Sequence, residues 1–241
     1  EKIASVLAGP GAPEPPLTFV RGTMVDAGVT VIATDAPLGE EGYEVVCAAA
    51  DAPAVFDTLV NRGLNAAPFG YRTWDALALE AGTPQFEHEL AETIPNVVGI
   101  RNALDFEKGC YVGQEVVSRV ENQGRPSRRL VGLSLVGLAD AADAIDGDAD
   151  PDAVDEVLPA PGAAVFDGDE AIGAVTRAGV GPATDVPLAL ALVDATADSP
   201  ADAVAVRVDG DETDARITSL PFVEGSARSA RLPAYPDATE S

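Results

Sequence analysis

The sequence is poor in cysteine and histidine, and each shortage excludes a class of protein. Two cysteines, Cys47 and Cys110, cannot build a disulfide framework, so we expect a cytoplasmic chain. The single histidine, His88, excludes a zinc site built on two histidines or on a Cys/His cluster. The 241 residues contain no apolar run of about 18 residues and no basic-plus-apolar leader at the start, so neither a membrane span nor a signal segment is predicted.

Positive charge is also scarce. Fifteen Lys and Arg residues face 40 Asp and Glu residues, and the net charge of −25 excludes nucleic acid as a partner because its phosphates would be repelled. Only Lys2 and Lys108 are lysines, a composition typical of a halophile with molar internal salt. At about 1 M salt the Debye length is only about 3 Å, so the self-repulsion is screened. We therefore interpret the acidity as a solvation device and expect the fold to weaken in dilute buffer.

The first half of the chain combines strand and helix patterns. Apolar β-type stretches occur over residues 19–33, and residues 42–48 alternate as a strand does. Asp51 is a candidate N-cap for a helix that Gly63 ends. A second helix is predicted from about Tyr71 to Ala81, with Gly82 following it and Pro84 preventing its continuation.

The second half is rich in short strands. Two acidic turns that contain glycine predict hairpins over residues 165–172 and 206–213. Another strand is predicted over residues 188–193. Because helix patterns are scarce here, the sequence favours a small antiparallel barrel.

The predicted domains divide near residue 125. Residues 1–125 form an α+β region, and residues 126–235 form the C-terminal β-barrel domain. An Ala/Asp-rich acidic stretch, 139–158, is predicted to be a solvated insertion in that domain. Residues 236–241 read as a polar tail.

The stretch from Lys108 to Glu115 contains the clearest candidate chemistry. Gly109 and Gly113 bracket Cys110 and Tyr111, which indicates a tight loop before a helix from about Gln114. Lys108 and that helix start would both favour a thiolate at Cys110. The alternative is that Cys110 is a small buried apolar residue and Lys108 a surface charge.

Other candidates fit ordinary structural roles better. Cys47 lies in an apolar strand and is interpreted as a buried structural cysteine. His88, between Glu87 and Glu89, is interpreted as a surface or salt-bridged histidine. The sequence contains neither a Gly-x-Ser-x-Gly elbow nor a phosphate-cradling glycine loop.

The run Lys-Gly-Cys-Tyr-Val-Gly-Gln-Glu over residues 108–115, followed by Arg119, resembles the signature of the YgfZ family of folate-binding proteins. That family is related to the glycine-cleavage T protein, an aminomethyltransferase. The stretches 39–45, 70–82, 173–176 and 188–193 resemble further motifs of this superfamily. The family's N-terminal part has no counterpart in this sequence, so an incomplete sheet is expected, with an exposed apolar face or a partner that covers it.

The resemblance implies an α+β fold, with an incomplete folate-binding region of the T-protein/YgfZ type followed by a small antiparallel C-terminal β-barrel. It implies that Glu44 accepts hydrogen bonds from a pterin ring, since a carboxylate can accept two parallel bonds. It implies that Arg72 also faces a tetrahydrofolate cofactor, for which a planar guanidinium is suited.

The same resemblance makes Cys110 and Lys108 the catalytic candidates and adds Tyr111, Gln114 and Glu115 as cofactor-binding candidates. No metal ligand is expected. Two departures matter. Pro37 stands where T proteins have a folate-contacting tyrosine, and the region that carries their catalytic aspartate has no counterpart.

Three functions are compatible with these observations. The leading hypothesis is a tetrahydrofolate-binding accessory protein that supports iron–sulfur cluster assembly or repair through Cys110, with iron–sulfur proteins as partners. Since one cysteine cannot hold a cluster, other ligands would come from a partner or a second copy. The alternatives are an aminomethyltransferase of the glycine cleavage system, acting with a lipoyl carrier protein, and a non-catalytic scaffold.

Overall fold

The computed structural model describes residues 3–9, 11–63, 66–124, 126–139, 157–196, 203–208 and 210–224. The predicted acidic insertion falls mostly on residues 140–156 and the predicted tail on residues 236–241. Both lie outside the described residues. The predicted division near residue 125 stays a prediction.

The first half is built on a three-stranded antiparallel sheet in the order β1-β2-β3, with β1 at Phe19–Met24, β2 at Ala27–Ala33 and β3 at Tyr43–Cys47. Alternate residues of β2 are buried, because one face of the sheet packs on helix α1 (Ala52–Arg62) and on the N-terminal segment. The other face is open, and Phe19 and Val46 are more than half exposed on it. The expected exposed apolar face is therefore present only in part, since Arg21 and Glu44 share it.

The helices α1 and α2 begin and end close to the predicted residues. Helix α1 runs from Ala52 to Arg62, and helix α2 from Tyr71 to Glu80. Asp51 precedes α1 as predicted, but its side chain makes no capping hydrogen bond. Helix α2 buries Ala78, Leu79 and Glu80, whereas Trp74 and Leu77 are only half-buried.

The connecting segment contains a π-helical turn at Phe86–Leu90, a short 3-10 turn at Arg101–Ala103 and helix α3 at Gln114–Gln123. Helix α3 begins at Gln114, as predicted. The Cys110 loop precedes it. Among the described residues, His88 is exposed, as predicted, and Cys47 is half-buried and packs beside the sheet core.

The second half is a closed antiparallel barrel of six strands, which confirms the predicted α+β architecture. The strands, in the order β4-β7-β6-β5-β8-β9, are β4 (Arg128–Ser134), β5 (Ala164–Asp167), β6 (Glu170–Val180), β7 (Pro187–Asp194), β8 (Ala203–Val208) and β9 (Asp211–Thr218). Both predicted hairpins are present, as β5–β6 and β8–β9. Valine, leucine and alanine side chains from the strands fill the interior.

Helix α2 packs against the barrel. Leu79 of α2 joins Leu188 and Leu190 of β7 in a small buried cluster. The backbone N–H of Phe222, beyond the last strand, donates to the carbonyl of Glu80 at 3.0 Å. These contacts hold the end of α2 on the outside of the barrel.

Candidate functional site

The motif loop is shaped by short-range hydrogen bonds. One carboxylate oxygen of Asp105 accepts the backbone N–H groups of Glu107 at 2.9 Å and Lys108 at 3.2 Å, which folds the chain back on itself. Gly113 adopts φ +89°, a conformation that a side chain would strain, and helix α3 starts at the next residue. The sequence therefore turns sharply on both sides of Cys110.

This loop brings three of the predicted residues close together. The Lys108 ammonium lies 4.7 Å from the centre of the Tyr111 ring, within cation–π range. The Gln114 side-chain oxygen accepts the N–H of Tyr111 at 3.4 Å. Cys110 is exposed and free, so its thiol is open to a partner. The alternative of a buried Cys110 is therefore wrong.

Glu115 faces along the helix. Its carboxylate accepts a hydrogen bond from the Arg119 guanidinium one turn later at 2.8 Å, and both side chains are exposed. An exposed pair of this kind contributes at most about 1 kcal/mol, so Glu115 is available to a ligand that competes for it.

A cleft of about 440 Å³ lies beneath the loop. Lys108, Tyr111 and Val116 line it on one side, and the backbone turn from Thr93 to Pro95 lines it on the other. Phe106 and Val112 are exposed on the same loop. The cleft is mostly apolar, with the Lys108 ammonium at its edge.

Glu44 lies in a different part of the molecule, on strand β3. It is exposed on the open face of the sheet, in register with Ile32 of β2, which in turn pairs with Phe19 of β1. A carboxylate beside an exposed aromatic and an aliphatic side chain suits a flat ring with N–H donors at its edge. Glu44 lines neither of the clefts described here.

Arg72 lies in the first turn of α2. It lines a cleft of about 640 Å³ between this helix and barrel strand β6, together with Asp75 and His88. Leu79 forms part of the floor, and Pro159 and Pro161 form a rim. The cleft thus combines an exposed guanidinium with an apolar floor.

The predicted site residues therefore lie in three separate places: the motif loop, strand β3 and the start of α2. Only those of the motif loop contact one another.

Sequence reasoning missed a buried ionic cluster behind this cleft. Glu89 is fully buried, and its carboxylate lies 3.5 Å from the Nε of Arg177, a residue of β6 that is 7% exposed. Burial lowers the pKa of Arg177, and the neighbouring Glu89 charge opposes that change. One signal was readable: Arg177 is the one cation in strand β6, most of whose other residues are apolar.

A β-bulge next to Arg177 explains its direction. Pairing between β6 and β7 shifts after Val175, so Arg177 pairs with Leu190. A bulge changes the direction of the side chain that follows it, and the Arg177 guanidinium here points away from the barrel and toward α2. It donates to the carbonyl oxygens of Thr83 at 2.8 Å and Asp75 at 3.4 Å.

Among the described residues, no three His, Cys, Asp or Glu side chains converge as metal ligands would. No helix of the described ranges is long and apolar enough to cross a membrane.

The fold is thus a mixed α/β segment joined to a closed antiparallel barrel, and known families have this combination. The GCVT N-terminal domain model matches residues 17–108, and the glycine cleavage T-protein C-terminal barrel domain model matches residues 128–224. The two matches support membership of the glycine cleavage T-protein superfamily.

Individual relatives agree with the family models. The aminomethyltransferase of Geobacillus kaustophilus is 29% identical over 211 residues, covering 86% of this chain and 53% of the relative. That of Streptomyces avermitilis is 33% identical over 204 residues, covering 81% and 50%. The crystal structure of the glycine cleavage system aminomethyltransferase T from Bartonella henselae superposes with a TM-score of 0.64 at 25% identity, covering 83% and 51%. The chain therefore spans about half the length of the relatives it matches.

Proposed function

We propose that this chain binds a tetrahydrofolate and takes part in folate-dependent aminomethyl transfer of the T-protein type, with a lipoyl carrier protein as partner. The observation that carries the proposal is Arg72, which lines a cleft against the barrel within the segment matched by the GCVT N-terminal domain model. The names of the relatives favour this function over the iron–sulfur role predicted first.

The side chains fit a folate in chemical terms. Glu44 is an exposed carboxylate on a sheet face with Phe19 and Ile32, and it can accept two N–H groups from the edge of a pterin ring. Arg72 offers a planar fork of donors to a carboxylate or a ring carbonyl. When bound, the folate would supply the one-carbon acceptor, and these residues would hold and orient it.

Calorimetric titration with tetrahydrofolate in molar KCl tests the proposal. We expect Glu44→Gln and Arg72→Met each to weaken binding by about tenfold to a hundredfold, since each removes a charge-assisted hydrogen bond of about 1.5–3 kcal/mol. The matched controls are Glu170→Gln and Arg62→Met, which alter exposed residues elsewhere. Binding that both site variants retain at wild-type strength would refute the assignment, and no binding at all would favour a scaffold.

Cys110 supports a second candidate function, the iron–sulfur assembly or repair role. Its thiol is exposed, and it shares a loop with Lys108, whose ammonium is 4.7 Å from the centre of the Tyr111 ring. A solvent-exposed thiol on such a loop is accessible to sulfur or redox exchange with a partner protein. In this proposal Lys108 and Tyr111 shape the surroundings of the thiol.

The test is made in cells with Cys110→Ala in the full-length gene, and Cys47→Ala is the control. Loss of an aconitase-type activity with glycine cleavage intact would support the iron–sulfur role. Loss of glycine cleavage alone would link the thiol to the transferase. Unchanged activities would mean that Cys110 is not a required thiol.

A further inference from the structure

In the buried cluster behind the Arg72 cleft, a single arginine, Arg177, connects the barrel to the helical segment that contains α2. Arg177 belongs to barrel strand β6, yet its guanidinium donates to the carbonyl oxygens of Asp75 in α2 and Thr83 just beyond it. Its Nε faces the Glu89 carboxylate at 3.5 Å. The Arg177 side chain therefore contacts helix α2, the turn that follows it and the π-helical turn.

Glu89 completes the connection from the opposite side. One carboxylate oxygen accepts the Thr176 hydroxyl of β6 at 2.8 Å, and the other accepts the backbone N–H of Gln85 at 2.8 Å. Glu89 and Arg177 are both buried, so water cannot solvate either charge if the other residue is replaced by a neutral one. Since the hydrogen bonds run in both directions across the contact, the barrel and the helical segment have one preferred arrangement.

The packing of α2 against the barrel also affects the shape of the Arg72 cleft, because the cleft lies at that contact. Arg72, Asp75 and Arg177 line the same cleft of about 640 Å³. Arg177 holds the carbonyl of Asp75, which lies one turn of α2 after Arg72. A movement of α2 away from β6 would change the cleft's width and carry Arg72 with it.

We propose that Arg177 and Glu89 are a positioning pair: they fix helix α2 against the barrel and so set where Arg72 meets a ligand in the cleft. The effect on folate rests on the function proposed above, whereas the effect on α2 does not. Neither residue is assigned a contact with the folate.

The test separates positioning from stability with two variants. Arg177→Met alone leaves the Glu89 charge buried and unpaired, so it is expected to destabilise the fold. Adding Glu89→Gln removes that charge and keeps one of the two oxygen acceptors, so we expect the double variant to recover part of the stability that Arg177→Met loses. It still lacks the donors to Asp75 and Thr83, so the positioning remains lost. The control, Arg207→Met, removes an exposed barrel arginine paired with Glu212.

Two readouts are used, and one needs no ligand. Trp74 is the only tryptophan and lies half-buried on α2, so its emission and its quenching by acrylamide report on that helix. We expect the double variant to raise the quenching constant about twofold and to weaken tetrahydrofolate binding about tenfold, within the range of indirect couplings. Arg207→Met should match the wild type.

Wild-type quenching in a folded double variant would overturn the positioning pair. Altered quenching with unchanged folate binding would mean that the pair positions α2 but not the ligand site, and would overturn the link to Arg72. If the wild-type chain binds no tetrahydrofolate, the proposed function fails, and the Trp74 quenching alone decides whether the pair positions α2.

Discussion

At the residue scale, Gly82 sits where the end of α2 meets the barrel. It adopts φ +67°, and a Cβ placed there would lie 2.9 Å from the Leu220 side chain. Glycine is needed for two independent reasons, the left-handed backbone and the close approach of Leu220. Only the first of these could be read from the sequence, as the glycine that follows a predicted helix.

A pair of alanine substitutions separates the two reasons. Gly168 in the β5–β6 turn adopts φ +56° with nothing within 4 Å of a Cβ, so Gly168→Ala should lose only about 1–2 kcal/mol of unfolding free energy. Gly82→Ala should lose about 1–3 kcal/mol more, because Leu220 must move. Urea denaturation in molar KCl measures both. Equal losses of unfolding free energy in the two variants would show that Leu220 moves aside at no cost, which would contradict the second reason.

The buried charges mark where sequence reasoning fails at this scale. Glu89 follows Glu87 and His88 in a polar run, which predicts exposure, yet it is fully buried. Its burial depends on Arg177, 88 positions later in the chain, and on the bulge that redirects that side chain. No local pattern encodes such a pairing. The turns around Cys110, by contrast, depend on nearby glycines and on Asp105, and the glycines were readable from the sequence.

At the element scale, a carboxylate of α2 holds a barrel turn. Glu80 is 4% exposed, and one of its oxygens accepts the N–H groups of Ala183 at 3.0 Å and Thr184 at 2.8 Å. These N–H groups lie in the connection between β6 and β7, so the helix stabilises a turn far from it in sequence. Periodicity predicted α2 itself correctly, but it could not reveal a polar side chain on the packed face.

Replacing this carboxylate tests its role. In Glu80→Gln a neutral amide replaces the charged acceptor of two N–H groups, and we expect a loss of about 1–3 kcal/mol in unfolding free energy. The exposed Glu170→Gln on β6 is the control and should change stability by no more than about 0.5 kcal/mol. Chemical denaturation provides the comparison. A loss in Glu80→Gln no larger than that in the control would contradict the assigned role.

At the scale of the whole molecule, the chain combines a net charge of −25 with a barrel and a helical segment that pack together. The barrel and the hairpins follow from apolar strands and glycine-containing turns, which is why both could be predicted. The contact between α2 and the barrel joins segments about a hundred residues apart, so it needed the structure.

The charge predicts a strong dependence on salt. Raising KCl from 0.05 M to 2 M should raise the melting temperature by several degrees, because screening weakens the repulsion among the acidic residues. Sucrose, which adds no ions, is the control, since its stabilising effect does not depend on charge. A melting temperature that stays constant across the KCl series would contradict the interpretation of the acidity as an adaptation to salt.

The most direct test of the folate proposal is hydrogen exchange of the wild-type chain in molar KCl, with and without tetrahydrofolate. We expect slower exchange over β3 at Tyr43–Cys47 and over α2 at Tyr71–Glu80, with β8 and β9 unchanged. Protection confined to the motif loop around Cys110, or no protection at all at millimolar folate, would contradict the assignment of Glu44 and Arg72.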